Sequence, residues 1–183
     1  MSKLRFGLIG QSLQHSFSQQ FFTDFFLKND IDGSYDNLEF QSIDSLQSFF
    51  KEAVYNYNGL NVTIPYKAAV IPFLDQIDEE AKRIGAVNTI KVVSGRLIGY
   101  NTDVFGFRQS IKPFLTNKHE KAMVIGTGGA SKAIEFVLKK IGLDVLFISR
   151  HSKNSDHIFT YEDINHYMVD ACKLVVNCTP VGS

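Results

Sequence analysis

Hydroxyl and amide side chains, one ammonium and one carboxylate recur at the ends of successive predicted strands in the first half of the chain. They are Ser16 and Ser18, then Asn61, Thr63 and Lys67, then Asn88, then Asn101 and Asp103. In α/β architectures ligands sit at the carboxyl ends of strands. This mixture suits a small polyhydroxylated acid and does not suit an apolar ligand. Oxidation of a secondary alcohol also requires a group to take its proton, and a lysine next to an aspartate can share that task. Each residue taken singly has a plainer account: an Asn or Asp at a strand end is usually a turn former, and an exposed lysine is usually just solvated. Their recurrence at one end of successive strands is what argues for a site. Cys172 and Cys178 are isolated, lack metal-ligand spacing and read as buried free thiols, so no metal site is expected.

The second half is organised around the turn Gly126-Thr127-Gly128-Gly129-Ala130-Ser131. Lys121 to Ile125 ahead of it reads as a short buried strand. Ile134, Val137, Leu138 and Ile141 behind it recur at i, i+3, i+4 and i+7, the apolar stripe of a helix, and Gly142 stands where a left-handed cap is wanted. Val145 to Ile148 completes a strand–helix–strand unit. Backbone N–H groups at the positive end of such a helix make a seat for a pyrophosphate. Ser131 stands where Gly or Ala is usual. Arg150 ends the second strand, where Asp or Glu would meet a ribose 2′-hydroxyl; a guanidinium suits a 2′-phosphate, with Lys153 adding charge. NADP is therefore the expected cofactor. A tight turn in an ordinary crossover is the alternative, and the agreement of strand, turn, helix and Arg150 weighs against it.

The elements that must position these residues can be read in order. Leu4 to Ile9 is a first strand, and Gln11 to Ser18 a polar loop. Ser18 is expected to cap a helix whose Phe21, Phe22, Phe25 and Phe26 form a core stripe. Tyr35 to Phe40 is a second strand, and Ile43, Leu46, Phe49, Phe50 and Ala53 space like the buried face of another helix. Gly59 to Ile64 is a strand stopped by Pro65. A proline suits the start of a helix, so Lys67 should fall in a first helical turn, against the dipole preference; that misplacement hints at function. Asp78 to Ile84 is a further helix. Gly85 to Val92 and Leu97 to Tyr100 form a hairpin about Ser94-Gly95. A helix from Val104 is capped by Thr102 or Asp103, and polar Asn117 to Glu120 marks a junction. Beyond Arg150, Ile158 to Thr160 is a short strand, Thr160 with Asp163 resembles a capping box, and Lys173 to Cys178 is a buried strand.

Composition narrows the classes. The 183 residues are 44% apolar and 21% charged, ordinary for a globular protein. Nineteen basic and nineteen acidic residues balance, which favours neither nucleic acid nor an anionic membrane. The apolar stretch at the N-terminus is too short for a signal peptide and no window approaches a membrane span. A reducing, cytoplasmic setting fits, with a monomer or homodimer expected.

On six motifs in family order the sequence resembles the shikimate dehydrogenase family. They are His15-Ser16-Phe17-Ser18, Asn61-Val62-Thr63-Ile64-Pro65-Tyr66-Lys67, Gly85 to Thr89, Gly99 to Gly106, Gly126 to Ser131, and Asn177 to Gly182. The resemblance implies an α/β fold: residues 1–115 as a substrate-binding and catalytic domain, and residues 116–183 as a Rossmann-like NADP-binding domain. It implies that Ser16 and Ser18, assisted by Thr63, hold a substrate carboxylate, that Asn88 and Asp103 hold ring hydroxyls, and that Lys67 with Asp103 handles the proton. Gly126, Thr127, Gly128, Gly129, Ala130, Ser149, Arg150, Lys153 and Thr179 fall to the cofactor. The implied activity is NADP-dependent interconversion of 3-dehydroshikimate and shikimate, in aromatic amino-acid biosynthesis. A quinate/shikimate dehydrogenase using NAD(P) and a binding-only fragment are the alternatives.

Family members usually have Pro where Ser12 and Gln19 stand and Asn where Ser149 stands. They also continue beyond the last motif with further strands and helices. The cofactor domain is therefore expected to be incomplete, leaving the 183-residue polypeptide nearly inactive and prone to associate through the edge of its last strand.

Overall fold

The computed structural model describes residues 3–151 and 155–181. Two compact units divide the chain, Met1–Asn101 and Thr102–Ser183.

The first unit carries β1 (Leu4–Gly10), α1 (Ser18–Lys28), β2 (Gly33–Glu39), α2 (Ile43–Asn56), β3 (Gly59–Val62), a two-residue β4 (Gln76–Ile77), α3 (Glu79–Ile84), β5 (Thr89–Val93) and β6 (Arg96–Tyr100). The strands form one sheet in the order β2-β1-β3-β5-β6-β4. Only β5 runs against its neighbours. The β5–β6 hairpin turns through Ser94 and Gly95, both at positive φ (50° and 73°), as a two-residue turn matched to strand twist demands. On one face α2 packs Leu46, Phe50 and Ala53 against Ile9, Leu60, Val62 and Ile90. On the other, α1 packs Phe26 against Leu8 and Tyr35.

The aromatic stripe of α1 is only partly core. Phe26 is buried, but Phe21 is 61% and Phe25 45% exposed. The helix meets the sheet over β2 and β1, so one side of it is covered. Ser18 does not cap this helix: the preceding Phe17 has helical dihedrals and no side-chain cap bond. Instead the Ser18 N–H donates to Ser16 Oγ at 3.3 Å. Asp78 caps α3 by accepting from the Glu80 N–H, and Gly85 closes it at φ 67°.

The second unit carries α4 (Asp103–Ile111), β7 (Lys121–Ile125), α5 (Gly129–Lys140), β8 (Asp144–Ile148), a two-residue β9 (Ile158–Phe159), α6 (His166–Ala171) and β10 (Cys172–Asn177). Its strands are parallel, in the order β10-β7-β8-β9. The α4 residues Phe107 and Ile111 pack with Ala122, Val124, Ile134 and Leu138. That shared core places α4 in the unit that begins at Thr102. Thr102 precedes α4 without a side-chain cap bond. Gly142, at φ 90°, ends α5 as its spacing predicts. No helix starts at the Thr160–Asp163 pair. Asp163 accepts from Thr160 N–H and Oγ1 at 2.7 and 2.8 Å, and these bonds lower its pKa, but α6 is capped by Asn165 through the Met168 N–H.

Candidate active site

In the first unit, the carboxyl ends of β1, β3 and β6 and the start of the reversed β5 lie along one edge of the sheet. Cross-strand bonds stitch that edge. Thr63 N–H donates to Ile9 O at 2.8 Å, Val62 N–H to Asn88 O at 2.8 Å, and Asn88 N–H to Tyr100 O at 3.1 Å. The loop after β1 is tied down by Leu13 N–H donating to Glu39 Oε1 at 2.6 Å and Ser16 N–H donating to Leu13 O at 2.9 Å. Ser16, Ser18, Thr63 and Lys67 are half-buried, and Asn88 is buried. Asn88 thus reaches the shared edge as the residue before a reversed strand, not at the end of a forward one. Asn101 is buried and donates to Ala86 O at 2.9 Å.

Lys67 is not in the first turn of a regular helix. Residues 65–70 form successive turns, followed by a short 3₁₀ turn Ile71–Phe73. The reason is visible in the backbone: the Lys67 carbonyl accepts from Val87 N–H at 2.6 Å, and Ile71 N–H goes to Ala68 O. The helix-dipole argument about this lysine therefore falls away. What holds its backbone is a bond to the segment that leads into Asn88. Asp103, the other residue assigned to proton handling, is half-buried and opens α4 in the second unit.

In the second unit β7 runs into Gly126, at φ 100°, where a Cβ would lie 3.0 Å from Thr179 Cγ2 and 3.2 Å from Cys178 O. Glycine is required there by both torsion and space. At Gly128, which precedes α5, a Cβ would meet nothing within 4 Å. The open backbone at Gly128 leads straight into the N-terminus of a twelve-residue helix, an arrangement that fits a pyrophosphate. Gly129, Thr127 and Ala130 are half-buried around it. Ser131, the departure from the usual glycine pattern, is 2% exposed and donates to Gly128 O at 2.7 Å. Its hydroxyl is satisfied inside the first turn. Thr179, after β10, donates from N–H and Oγ1 to Asn177 Oδ1 at 2.9 and 2.7 Å. Ser149 is half-buried after β8 and Arg150 is exposed; Lys153 lies outside the described residues. Among the described residues no group of His, Cys, Asp and Glu side chains could hold a metal ion. Burial raises the pKa of both cysteine thiols.

Residues 8–90 match the substrate binding domain of shikimate dehydrogenase. Over 192 residues the chain is 36% identical to the shikimate dehydrogenase (NADP(+)) of Methanosphaera stadtmanae, covering 96% of this chain and 68% of that protein. The chain belongs to the shikimate dehydrogenase family. Solved structures agree. The shikimate 5-dehydrogenase of Thermus thermophilus, in complex with NADP(H) and shikimate, is 31% identical at a TM-score of 0.81, covering 96% of this chain and 68% of that one. The quinate dehydrogenase of Corynebacterium glutamicum, in complex with NAD, is 28% identical at a TM-score of 0.83, covering 97% of this chain and 71% of that one. The expected α/β fold, with a Rossmann-like second half, is the fold of this family.

Tyr35 has no place among the sequence-derived site residues, yet it hydrogen-bonds Asn61 across the sheet at 2.8 Å. An aromatic in an alternating strand signals core and nothing more. Sequence spacing carries no sign of a bond that spans an intervening strand.

Proposed function

We propose that this chain catalyses the NADP-dependent interconversion of 3-dehydroshikimate and shikimate, as its family membership and its two site-bearing units together suggest. Ser16, Ser18 and Thr63 bind the substrate carboxylate. Asn88 and Asp103 bind ring hydroxyls and so orient the ring. On oxidation the alcohol carbon gives up a hydride and its oxygen a proton, which Lys67, with Asp103, receives; on reduction Lys67 returns it. NADP, when bound, supplies the hydride acceptor or donor. Gly126, Thr127, Gly128, Gly129 and Ala130 seat its pyrophosphate, and Ser149, Arg150, Lys153 and Thr179 complete its contacts. Residues 1–115 would serve as the substrate-binding and catalytic part, and residues 116–183 as the cofactor part. The observation that carries the reading is the shared edge in the first unit. There Thr63, Asn88 and the Lys67 backbone are bonded into one framework, directly or through adjacent residues.

Among the described residues no helix is long and apolar enough to cross a membrane. We place the protein in the cytoplasm, as a monomer or homodimer. A second reading, quinate oxidation with NAD, is favoured by one observation, the structural likeness to a quinate dehydrogenase. An absorbance assay of shikimate and quinate, each with NADP+ and NAD+, decides between them. Shikimate with NADP+ should be the fastest pair. Faster quinate oxidation with NAD+ would move the assignment to the second reading. Calorimetric shikimate binding with no reduced cofactor formed would leave only a binding module.

A further inference from the structure

A chain of hydrogen bonds runs through the first unit behind the proposed substrate site. Tyr35 lies on β2, Asn61 on β3 and Thr89 on β5. The strand register pairs Phe6 with both Tyr35 and Gly59, Leu8 with Asn61, and Asn61 with Thr89. Side chains aligned this way share one face of the sheet. The Tyr35 hydroxyl donates to Asn61 Oδ1 at 2.8 Å. Asn61 Nδ2 donates to Thr89 Oγ1 at 3.3 Å, and Thr89 Oγ1 donates to Asn88 Oδ1 at 3.0 Å. The tyrosine is itself fixed: it is 5% exposed, and Phe22 stacks on its ring at 4.6 Å and 12°.

Every bond from Tyr35 to Asn88 has the same donor-to-acceptor sense. That matters because the oxygen and nitrogen ends of a carboxamide have nearly the same shape, so hydrogen bonds and not packing choose its orientation. The central pair also lines an open cavity of 460 Å³, with Phe6, Lys91 and Tyr100, where packing constrains an amide still less. The phenol holds the Asn61 oxygen toward β2, and a longer bond from Asn61 Nδ2 to Asn88 O at 3.5 Å favours the same orientation. Without it only the 3.5 Å bond to Asn88 O opposes a rotation of Asn61 that presents its oxygen to Thr89. The Thr89 hydroxyl then donates to Asn61 and is lost to Asn88.

We propose that Tyr35 is a positioning residue of the substrate site, setting the sense of a relay that runs to Asn88 and fixes the edge of the Asn88 amide offered to a ring hydroxyl. The inference rests on the substrate reading given above for Asn88.

The test uses the full chain and four variants: Tyr35→Phe, which keeps the ring on Phe22, Thr89→Val, Thr89→Ser, and Tyr35→Phe combined with Thr89→Val. Tyr35→Phe and Thr89→Val should each raise the shikimate KM and calorimetric Kd about tenfold, with the NADP KM unchanged. Thr89→Ser should restore parent values. The double variant should lose about tenfold and not a hundredfold, because both changes cut the same relay. Independently of activity, the side-chain amide NMR signals of Asn88 should move in Tyr35→Phe. Unmoved Asn88 signals, a parent-like shikimate KM in Tyr35→Phe, or additive losses in the double variant would overturn the relay. Moved signals in a parent that binds no shikimate would uphold the relay and sink the substrate assignment instead.

Discussion

At the edge of the first sheet, Thr63, Lys67 and Asn88 come from separate strands or turns and are held by bonds that pass between them. In the second unit, Gly126, Gly128 and Gly129 fall within four consecutive residues and present backbone. The first arrangement depends on the register of the whole sheet; the second depends on one turn and the helix behind it. They should therefore break differently. Removing a terminal functional group should disable the first without disturbing the fold, and adding a methyl group should disable the second.

The largest effect is expected at Lys67. Lys67→Ala should lower kcat by roughly two to four orders of magnitude, the usual range for a general acid–base. Shikimate affinity should change much less. The bond from Val87 N–H to the carbonyl of residue 67 is a backbone bond and should survive the substitution. Turnover at the parent rate would end the assignment.

Next in size are the glycines, which sharpen the contrast because two neighbours should behave differently. Gly126→Ala places a methyl group at φ 100° and 3.2 Å from a backbone oxygen. It should cost about 1–3 kcal/mol of stability in urea unfolding, along with NADP affinity. Gly128→Ala meets open space and has φ −82°. It should melt like the parent yet bind NADP several-fold more weakly. An alanine at Gly128 with parent-like NADP affinity would show that the pyrophosphate seat lies elsewhere.

The same contrast governs what could be read from residues alone. The glycine turn is contiguous, so its strand, left-handed Gly142 cap and helical stripe were all legible, and α5 and β8 lie where the spacing puts them. For the dispersed site the residue types were legible and their support was not. Pro65 suggested a helix at Lys67, but the Lys67 carbonyl bonds to Val87, a partner set by tertiary structure. Ser18 has the chemistry of a cap, yet Ser16 makes the bond. The Phe stripe of α1 announced an apolar face; periodicity cannot say how much of it the sheet covers, and Phe21 and Phe25 stay exposed. Tyr35 was invisible as anything but core because its bond to Asn61 spans an intervening strand.

A site built from side chains also carries titratable weak points that a backbone site lacks, and this gives the smallest effect. Burial pushes the Tyr35 phenol up from 10 to about 12. The folded protein therefore keeps a proton that the unfolded chain releases, so the stabilisation from Tyr35 is complete below pH 10 and is lost as pH rises toward 12. Tyr57 is also raised by burial, so the parent alone cannot isolate Tyr35. Tyr35→Phe can, because Tyr57 is common to both proteins. Urea unfolding at steps from pH 8 to 11 should show parallel behaviour up to about pH 10, then a steeper decline in the parent. Equal slopes above pH 10 would mean that Tyr35 ionises as easily folded as unfolded, and that its phenol is less enclosed than its stacking against Phe22 requires.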